Sequence, residues 1–260
     1  MKNKRLILVI SHRRSGTHWV IDSLRNNLPA VSYQFYNLDQ ISRRHEKPIS
    51  ANELALKIAK TRGRYVLLKT HMSPHLTPFE SEERDFVKEL LENSKVIYVY
   101  RDGRDVLVSL YHYMRSFRDE LPEFSDFIRM PNDLDPYYHP VNRVGYWKEH
   151  VEGWLGRSNL DIATVSYEQL HTDYENTVRQ LSDFLGVTVK SSGIDKIDLK
   201  KYELFGKLLR KIFPGSVKSS AILPRKGVIG DYKNYFSEKD LELFDKIAGV
   251  LMNDLGYYQK

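Results

Sequence analysis

Three short apolar runs, each followed at once by a polar, cation-bearing cluster, constrain the fold of this chain most. Leu6-Ile7-Leu8-Val9-Ile10, Tyr65-Val66-Leu67-Leu68 and Val96-Ile97-Tyr98-Val99-Tyr100 are continuous rather than alternating. A strand buried on both faces has that pattern. Ile162-Ala163-Thr164-Val165 is a weaker fourth run. Between and after them the spacing predicts helices at about 17–27, 82–92, 104–115, 143–154 and 173–185. A last helix opens after Ser237, its N-cap, with Asp240 three residues on. Leu241, Phe244, Ala248, Leu251 and Leu255 then follow at helical spacing. Strands alternating with helices predict a three-layer, P-loop-like α/β domain with a central, mostly parallel β-sheet flanked by helices. With no repeat, low-complexity tract or linker, one domain over 1–260 is expected.

Such sheets bind ligands at the carboxyl ends of their strands, so the residues just after each run carry the argument. After the first comes Ser11-His12-Arg13-Arg14-Ser15-Gly16-Thr17-His18-Trp19. A strand, a Ser/Gly/Thr turn and a helix N-terminus turn several N–H groups toward one point and suit an anion. The turn lacks the first glycine and the lysine of a Walker A loop. After the second run, Lys69 and His71 are two apart and point to the same side. Histidine serves as a general base near neutral pH, and lysine stabilises charge on a leaving group. After the third run, Arg101 offers a planar fork for phosphate oxygens, and Ser109 follows on the next helix. A glycine-punctuated basic loop, Arg225-Lys226-Gly227-Val228-Ile229-Gly230-Asp231-Tyr232-Lys233-Asn234, lies near the C-terminus. Each cluster alone is also what a solvated strand end or surface loop would show.

Composition narrows the classes. The 260 residues carry a net charge of +6, contain no cysteine and hold no apolar run long enough for a membrane helix. Disulfide and thiolate chemistry are therefore excluded. The N-terminal apolar stretch is too short for a signal peptide and runs into His12-Arg13-Arg14. A cytoplasmic protein with no membrane association is expected. Basic residues are spread along the chain without a zinc-finger or RNA-binding signature, so nucleic acid is not an expected partner. No metal-ligand spacing is present, and no metal is expected.

In order and spacing these motifs resemble the PAPS-dependent sulfotransferases, closest to the soluble cytosolic type (PAPS is 3′-phosphoadenosine 5′-phosphosulfate). His12 to Trp19 occupies the place of that family's Tyr-Pro-Lys-Ser-Gly-Thr-Thr-Trp loop, and Lys69-Thr70-His71 matches its Lys-Thr-His. Arg101 and Ser109, eight apart, match its pair for the 3′-phosphate. Arg225 to Asn234 matches its Arg-Lys-Gly-x-x-Gly-Asp-Trp-Lys-Asn with one change, and Tyr167-Glu168 its adenine-contacting Tyr-Glu. The resemblance implies catalysis by His71, Lys69 and Arg14. It also implies donor binding by Arg13, Arg14, Ser15, Gly16, Thr17, His18, Trp19, Arg101, Ser109, Tyr167, Arg225, Lys226 and Gly227. The co-substrate would be PAPS, released as 3′-phosphoadenosine 5′-phosphate (PAP), and the acceptor a small molecule.

Three departures bear on those roles. Arg13-Arg14 replaces Pro-Lys, His18 replaces the second threonine, and Tyr232 replaces tryptophan. The family's dimerisation segment survives only as Lys233, Ser237-Glu238 and Glu242, so both a monomer and a homodimer are compatible with it. The acceptor is expected among residues 33–49, 75–79 and 117–142, which carry Tyr33, Phe35, Tyr36, Phe79, Phe124, Phe127, Tyr137 and Tyr138. Two other readings are a noncatalytic nucleotide- or anion-binding module and a P-loop kinase. The latter needs a Walker lysine and a magnesium-binding aspartate that the motifs lack.

Overall fold

The structure is a computed structural model that describes residues 5–118, 120–134, 137–197 and 227–258. Its elements run β1 (Arg5–Ser11), α1 (Thr17–Asn27), β2 (Val31–Asn37), a 3-10 turn (Leu38–Ile41), α2 (Ala51–Lys60), β3 (Tyr65–Thr70), α3 (Glu82–Glu92) and β4 (Ser94–Tyr100). Then come α4 (Gly103–Arg115), α5 (Phe124–Arg129), the short strands β5 (Pro131–Asn132) and β6 (His139–Asn142), α6 (Arg143–Leu155), β7 (Ile162–Ser166), α7 (Tyr167–Thr172) and α8 (Tyr174–Leu185). A second 3-10 turn (Asp231–Asn234) precedes α9 (Glu238–Asp254). The chain forms two compact units. One comprises Met1–Arg101, Asn132–Pro140 and Glu149–Lys196, the other Asp102–Pro131, Val141–Lys148 and Ile197–Lys260.

The first unit is built on a five-stranded sheet of order β2-β3-β1-β4-β7, parallel at every pairing. The α/β class and the parallel sheet follow the sequence expectation. β1 is central, and Leu6 to Ile10 are buried on both faces, as their unbroken apolar run requires. Its neighbours are in register, Val9 with Lys69 and Ser11 with Val99. The motif-bearing ends of β1, β3 and β4 therefore finish at one edge of the sheet.

Two elements of this unit differ from the expectation. β2 was not predicted, because Tyr33 and Gln34 are exposed and its pairing with β3 shifts between Val31 and Phe35. A bulged edge strand lacks the two-faced burial that marks the others. α2 was also missed, although Ser50 caps it by accepting the Glu53 N–H; only Leu54 and Ile58 of its ten residues are buried.

The second unit packs α4, α5 and α9 with aromatic side chains. Phe124 meets Phe127, Tyr111, Tyr235 and Phe236, and Trp147 meets Phe244. The predicted cap of α9 is present: the Asp240 N–H donates to Ser237 Oγ and the Ser237 N–H to Asp240 Oδ2. The carboxylate of Asp240 also takes Arg129 Nη1 and Ser125 Oγ, tying α9 to α5.

Candidate active site

The turn after β1 is contorted. Arg14 has φ 71° and Gly16 φ 99°, two left-handed residues within three positions. Glycine accepts such a conformation freely, whereas arginine holds it against a cost of about 1 kcal/mol or more. The Gly16 carbonyl accepts the first helical N–H bonds of α1, from Trp19 (2.9 Å) and Val20 (3.2 Å). Ser15 is fully buried, and its Oγ has no hydrogen-bond partner among the described residues. An unpaired buried hydroxyl beside a helix N-terminus is a geometry that suits an anion.

Gly16 has a second constraint. A Cβ there would stand 2.7 Å from Cδ2 of Tyr167, whose ring lies against the turn. Gly16→Ala is expected to destabilise the protein by about 1–3 kcal/mol from backbone strain alone and to push Tyr167 away. Urea unfolding checks this, and an unchanged midpoint would contradict it.

The ring of Tyr167 is edge-on to Trp19 (5.3 Å) and His171 (4.7 Å), and the guanidinium of Arg101 sits 4.2 Å from its centroid. Trp19, Arg101 and Tyr167, drawn from three stretches of sequence, therefore meet. His171 was missed by the sequence reading, since a lone histidine on a short helix carries no signal. Its Nε2 and the Trp19 Nε1 have no hydrogen-bond partner among the described residues. Burial, with Arg101 and Lys196 nearby, lowers the His171 pKa to about 4.

Lys69, Thr70 and His71 end β3. His71 Nδ1 lies 2.9 Å from the Ser11 carbonyl and 3.2 Å from Ser11 Oγ. A carbonyl can only accept, so Nδ1 carries the proton and Nε2 keeps its lone pair. Nε2 has no hydrogen-bond partner among the described residues. Burial, then the charges of Lys69 and Arg13, hold the His71 pKa well below its ordinary value. Burial also lowers Lys69 to about 8, with Asp39 opposing and Arg13 assisting the shift. His18 is lowered to about 3 by burial and by Lys69, Arg14 and Arg25. Arg13, His18, Lys69 and His71 thus act on one another as a cationic cluster around neutral imidazoles.

Behind His71 lies a second layer. His150 Nε2 faces the His71 carbonyl at 3.4 Å, and Tyr98 Oη is 2.9 Å from His150 Nδ1. His12 meets His150 edge-on at 5.4 Å. Burial lowers His12 to about 4 and His150 to about 3. Neither His150 nor Tyr98 was singled out in the sequence, because each reads as ordinary core.

Of the aromatics expected to line an acceptor pocket, Tyr137 is edge-on to His71 at 6.4 Å, with the Arg13 guanidinium 4.6 Å from its ring. Phe79 and Phe127 are wholly buried core, while Tyr33 and Tyr138 are exposed.

Ser109 and Gly227 belong to the second unit. There Asp102 caps α4 and receives Arg104 through both carboxylate oxygens (3.0 and 2.7 Å). Asp105 accepts the N–H groups of Gly230 (2.7 Å) and Tyr232 (3.0 Å). Two motifs more than a hundred residues apart are thereby joined within this unit, and the Arg104 guanidinium stacks 4.0 Å from the Tyr232 ring. Gly227 has φ 66°. Arg225 and Lys226 lie outside the described residues.

A family model described as "Sulfotransferase domain" matches residues 4–256. The chain belongs to the sulfotransferase family. Sulfotransferase 2A1 of Macaca fascicularis is 27% identical over 267 residues, covering 96% of this chain and 85% of that protein. Human sulfotransferase 1C2 is 27% identical over 258 residues, covering 93% and 81%. A solved structure of retinol dehydratase, in complex with androsterone and inactive cofactor PAP, superposes with a TM-score of 0.68 at 20% identity, covering 96% of this sulfotransferase and 81% of that chain. The enzyme class and the fold are those expected from the motifs. Among the described residues of this sulfotransferase, no helix is long and apolar enough to cross a membrane.

Proposed function

We propose that this sulfotransferase moves a sulfuryl group from PAPS to a hydroxyl or amine of a small-molecule acceptor, with His71 as general base. The observation that carries the reading is the fixed tautomer of His71: its Nδ1–H is held by the Ser11 carbonyl (2.9 Å), leaving Nε2 bare beside Lys69 and Arg13. Nε2 takes the acceptor's proton as the acceptor oxygen or nitrogen attacks sulfur. The bond from sulfur to the bridging oxygen of the 5′-phosphate breaks, and PAP departs with that electron pair. By analogy with phosphoryl transfer, the sulfuryl group passes through a loose state whose charge sits on its equatorial oxygens. Lys69, Arg14 and the N–H groups of Ser15 to Thr17 stabilise that charge and the departing phosphate.

Arg13 and His18 complete the loop around the donor, and Trp19, Tyr167 and Arg101 bind its nucleoside and 3′-phosphate; Ser109 is assigned to that phosphate by the family motif alone. Arg225, Lys226 and Gly227 are assigned to the donor by the family motif alone, the first two lying outside the described residues. Solved structures of a mouse sulfotransferase and of retinol dehydratase, both in complex with PAP, support the donor assignment by similarity of fold. Fixed cations supply the positive charge in this scheme, with no step assigned to a metal. The low proton affinity of His71 in the free enzyme fits an ordered reaction. The polyanionic donor offsets the charges of Lys69 and Arg13, and the base gains proton affinity only once PAPS is bound.

Tyr137, against the His71 ring, forms part of the acceptor pocket, which is consistent with an aromatic or other apolar acceptor. The 260-residue chain works as a single sulfotransferase domain, as the extent of the family match suggests, and acts in the cytoplasm.

Thermal unfolding tests the donor site without an acceptor. PAP with EDTA at a hundredfold excess over Kd is expected to add ~2.7 kcal/mol, or roughly 5–10 °C. Mg-ATP at the same concentration is expected to do much less. A shift with Mg-ATP alone would replace the donor assignment with a kinase-like one.

A further inference from the structure

Lys69, Thr70 and His71 stand at a strand end, and something must hold three consecutive polar residues in place there. The 3-10 turn Leu38–Ile41 supplies it. Asp39, 2% exposed, accepts Thr70 Oγ1–H and the His71 N–H (3.2 Å) through the same oxygen, Oδ1. With the Asn37 amide turned so that its nitrogen faces these acceptors, it donates to the other oxygen, Oδ2 (3.0 Å), and to the Lys69 carbonyl (3.3 Å). Thr70 Oγ1 in turn accepts the Met72 N–H (3.0 Å). Asn37 pairs in register with Lys69, so β2 delivers Asp39 two residues beyond the end of that ladder.

A buried carboxylate in this position is costly unless it is both hydrogen-bonded and charge-compensated. Hydrogen bonds come from Thr70, His71 and Asn37; compensating charge comes from Lys69. The charges acting on Lys69 are Asp39 from the 3-10 turn and Arg13 from the loop after β1, and Lys69 in turn acts on the neutral imidazoles of His18 and His71.

We infer that Asp39 is a positioning residue for sulfuryl transfer: it clamps Lys69, Thr70 and His71 in working geometry and keeps the Lys69 amine charged. It touches neither donor nor acceptor in this account, and its role in transfer rests on the assignment of Lys69 and His71 made above. Because Asp39 lies within residues 33–49, the clamp also ties the expected acceptor segment to the base.

Asp39→Asn separates charge from shape. An asparagine oxygen still accepts from Thr70 and His71, whereas the negative charge and the bond from the Asn37 amide are lost. The test follows the Lys69 side-chain resonances of the ligand-free protein by NMR from pH 6 to 10, assigned with Lys69→Arg. In the wild type the titration is expected near the lowered value of about 8. In Asp39→Asn it is expected about one pH unit lower, because an opposite charge has been removed from a buried amine. Calorimetry of PAP over the same range is expected to show affinity falling from a correspondingly lower pH in the variant. Coincident Lys69 titrations in the two proteins would overturn the inference. A wild type that binds no PAP would sink the donor assignment instead, and the NMR comparison would still decide the role of Asp39.

Discussion

His71→Ala is expected to lower turnover with bound PAPS by ~10²–10⁴-fold, the range a lost general base costs. The variant should keep its fold and its affinity for PAP. His71 acts on the donor cluster through charge, and its side chain is anchored at Nδ1, by the Ser11 carbonyl (2.9 Å) and beside the Ser11 hydroxyl (3.2 Å), while its backbone bonds do not depend on the imidazole. Removing a neutral imidazole takes away little binding energy, so the loss should fall on kcat rather than on KM for PAPS. His71→Gln, which can restore the Nδ1 bond but not a basic nitrogen, should be as inactive as the alanine variant. Rapid-quench measurement of single turnovers checks the split. Full turnover in either variant would remove the base from His71 and leave His18 as the remaining histidine of the cluster.

Acid is the second large effect. His12, His71 and His150 are buried and neutral, with folded pKa values far below the ordinary 6.5. Because the unfolded chain protonates them first as pH falls, the unfolded state binds more protons and stability drops. The contribution is fully present above about pH 7.5 and is lost as pH falls through 6.5 toward the folded values of about 4 for His12 and about 3 for His150. One pH unit below the unfolded pKa, each histidine costs about 1 kcal/mol, or a few kcal/mol for the three together. Against a typical domain stability of ~5–15 kcal/mol, that is a large fraction. Urea unfolding at pH 7.5 and 5.5 checks it. Equal unfolding free energies at the two pH values would mean that these histidines are not neutral in the folded state.

β1, β3 and β4 were legible because both of their faces are buried, and the family motifs because they sit at those strands' ends. β1, β3, β4 and β7 and the cap of α9 lie where the apolar runs and Ser237 put them. What could not be read depends on tertiary placement. β2 is a bulged edge strand whose half-exposed residues mimic a loop. Asp39 lies some thirty residues before the triplet it holds, and a single aspartate after an irregular strand announces no partner. His150 and Tyr98 fall on an ordinary helix and strand, and only packing shows that they back the His71 carbonyl. The acceptor residues were the least legible. Aromatic side chains fill cores and pockets alike: Tyr137, against the His71 ring, is nearly as buried as Phe79 and Phe127.

The most direct test of the central claim is transfer of sulfur-35 from labelled PAPS to a panel of phenols, alcohols and amines. The account predicts labelled product from at least one hydroxyl or amine acceptor with the wild type, in EDTA, and at most about a hundredth of that rate with His71→Ala. No labelled product from any acceptor, in a protein that binds PAP tightly, would contradict it and leave a nucleotide-binding module without transferase activity.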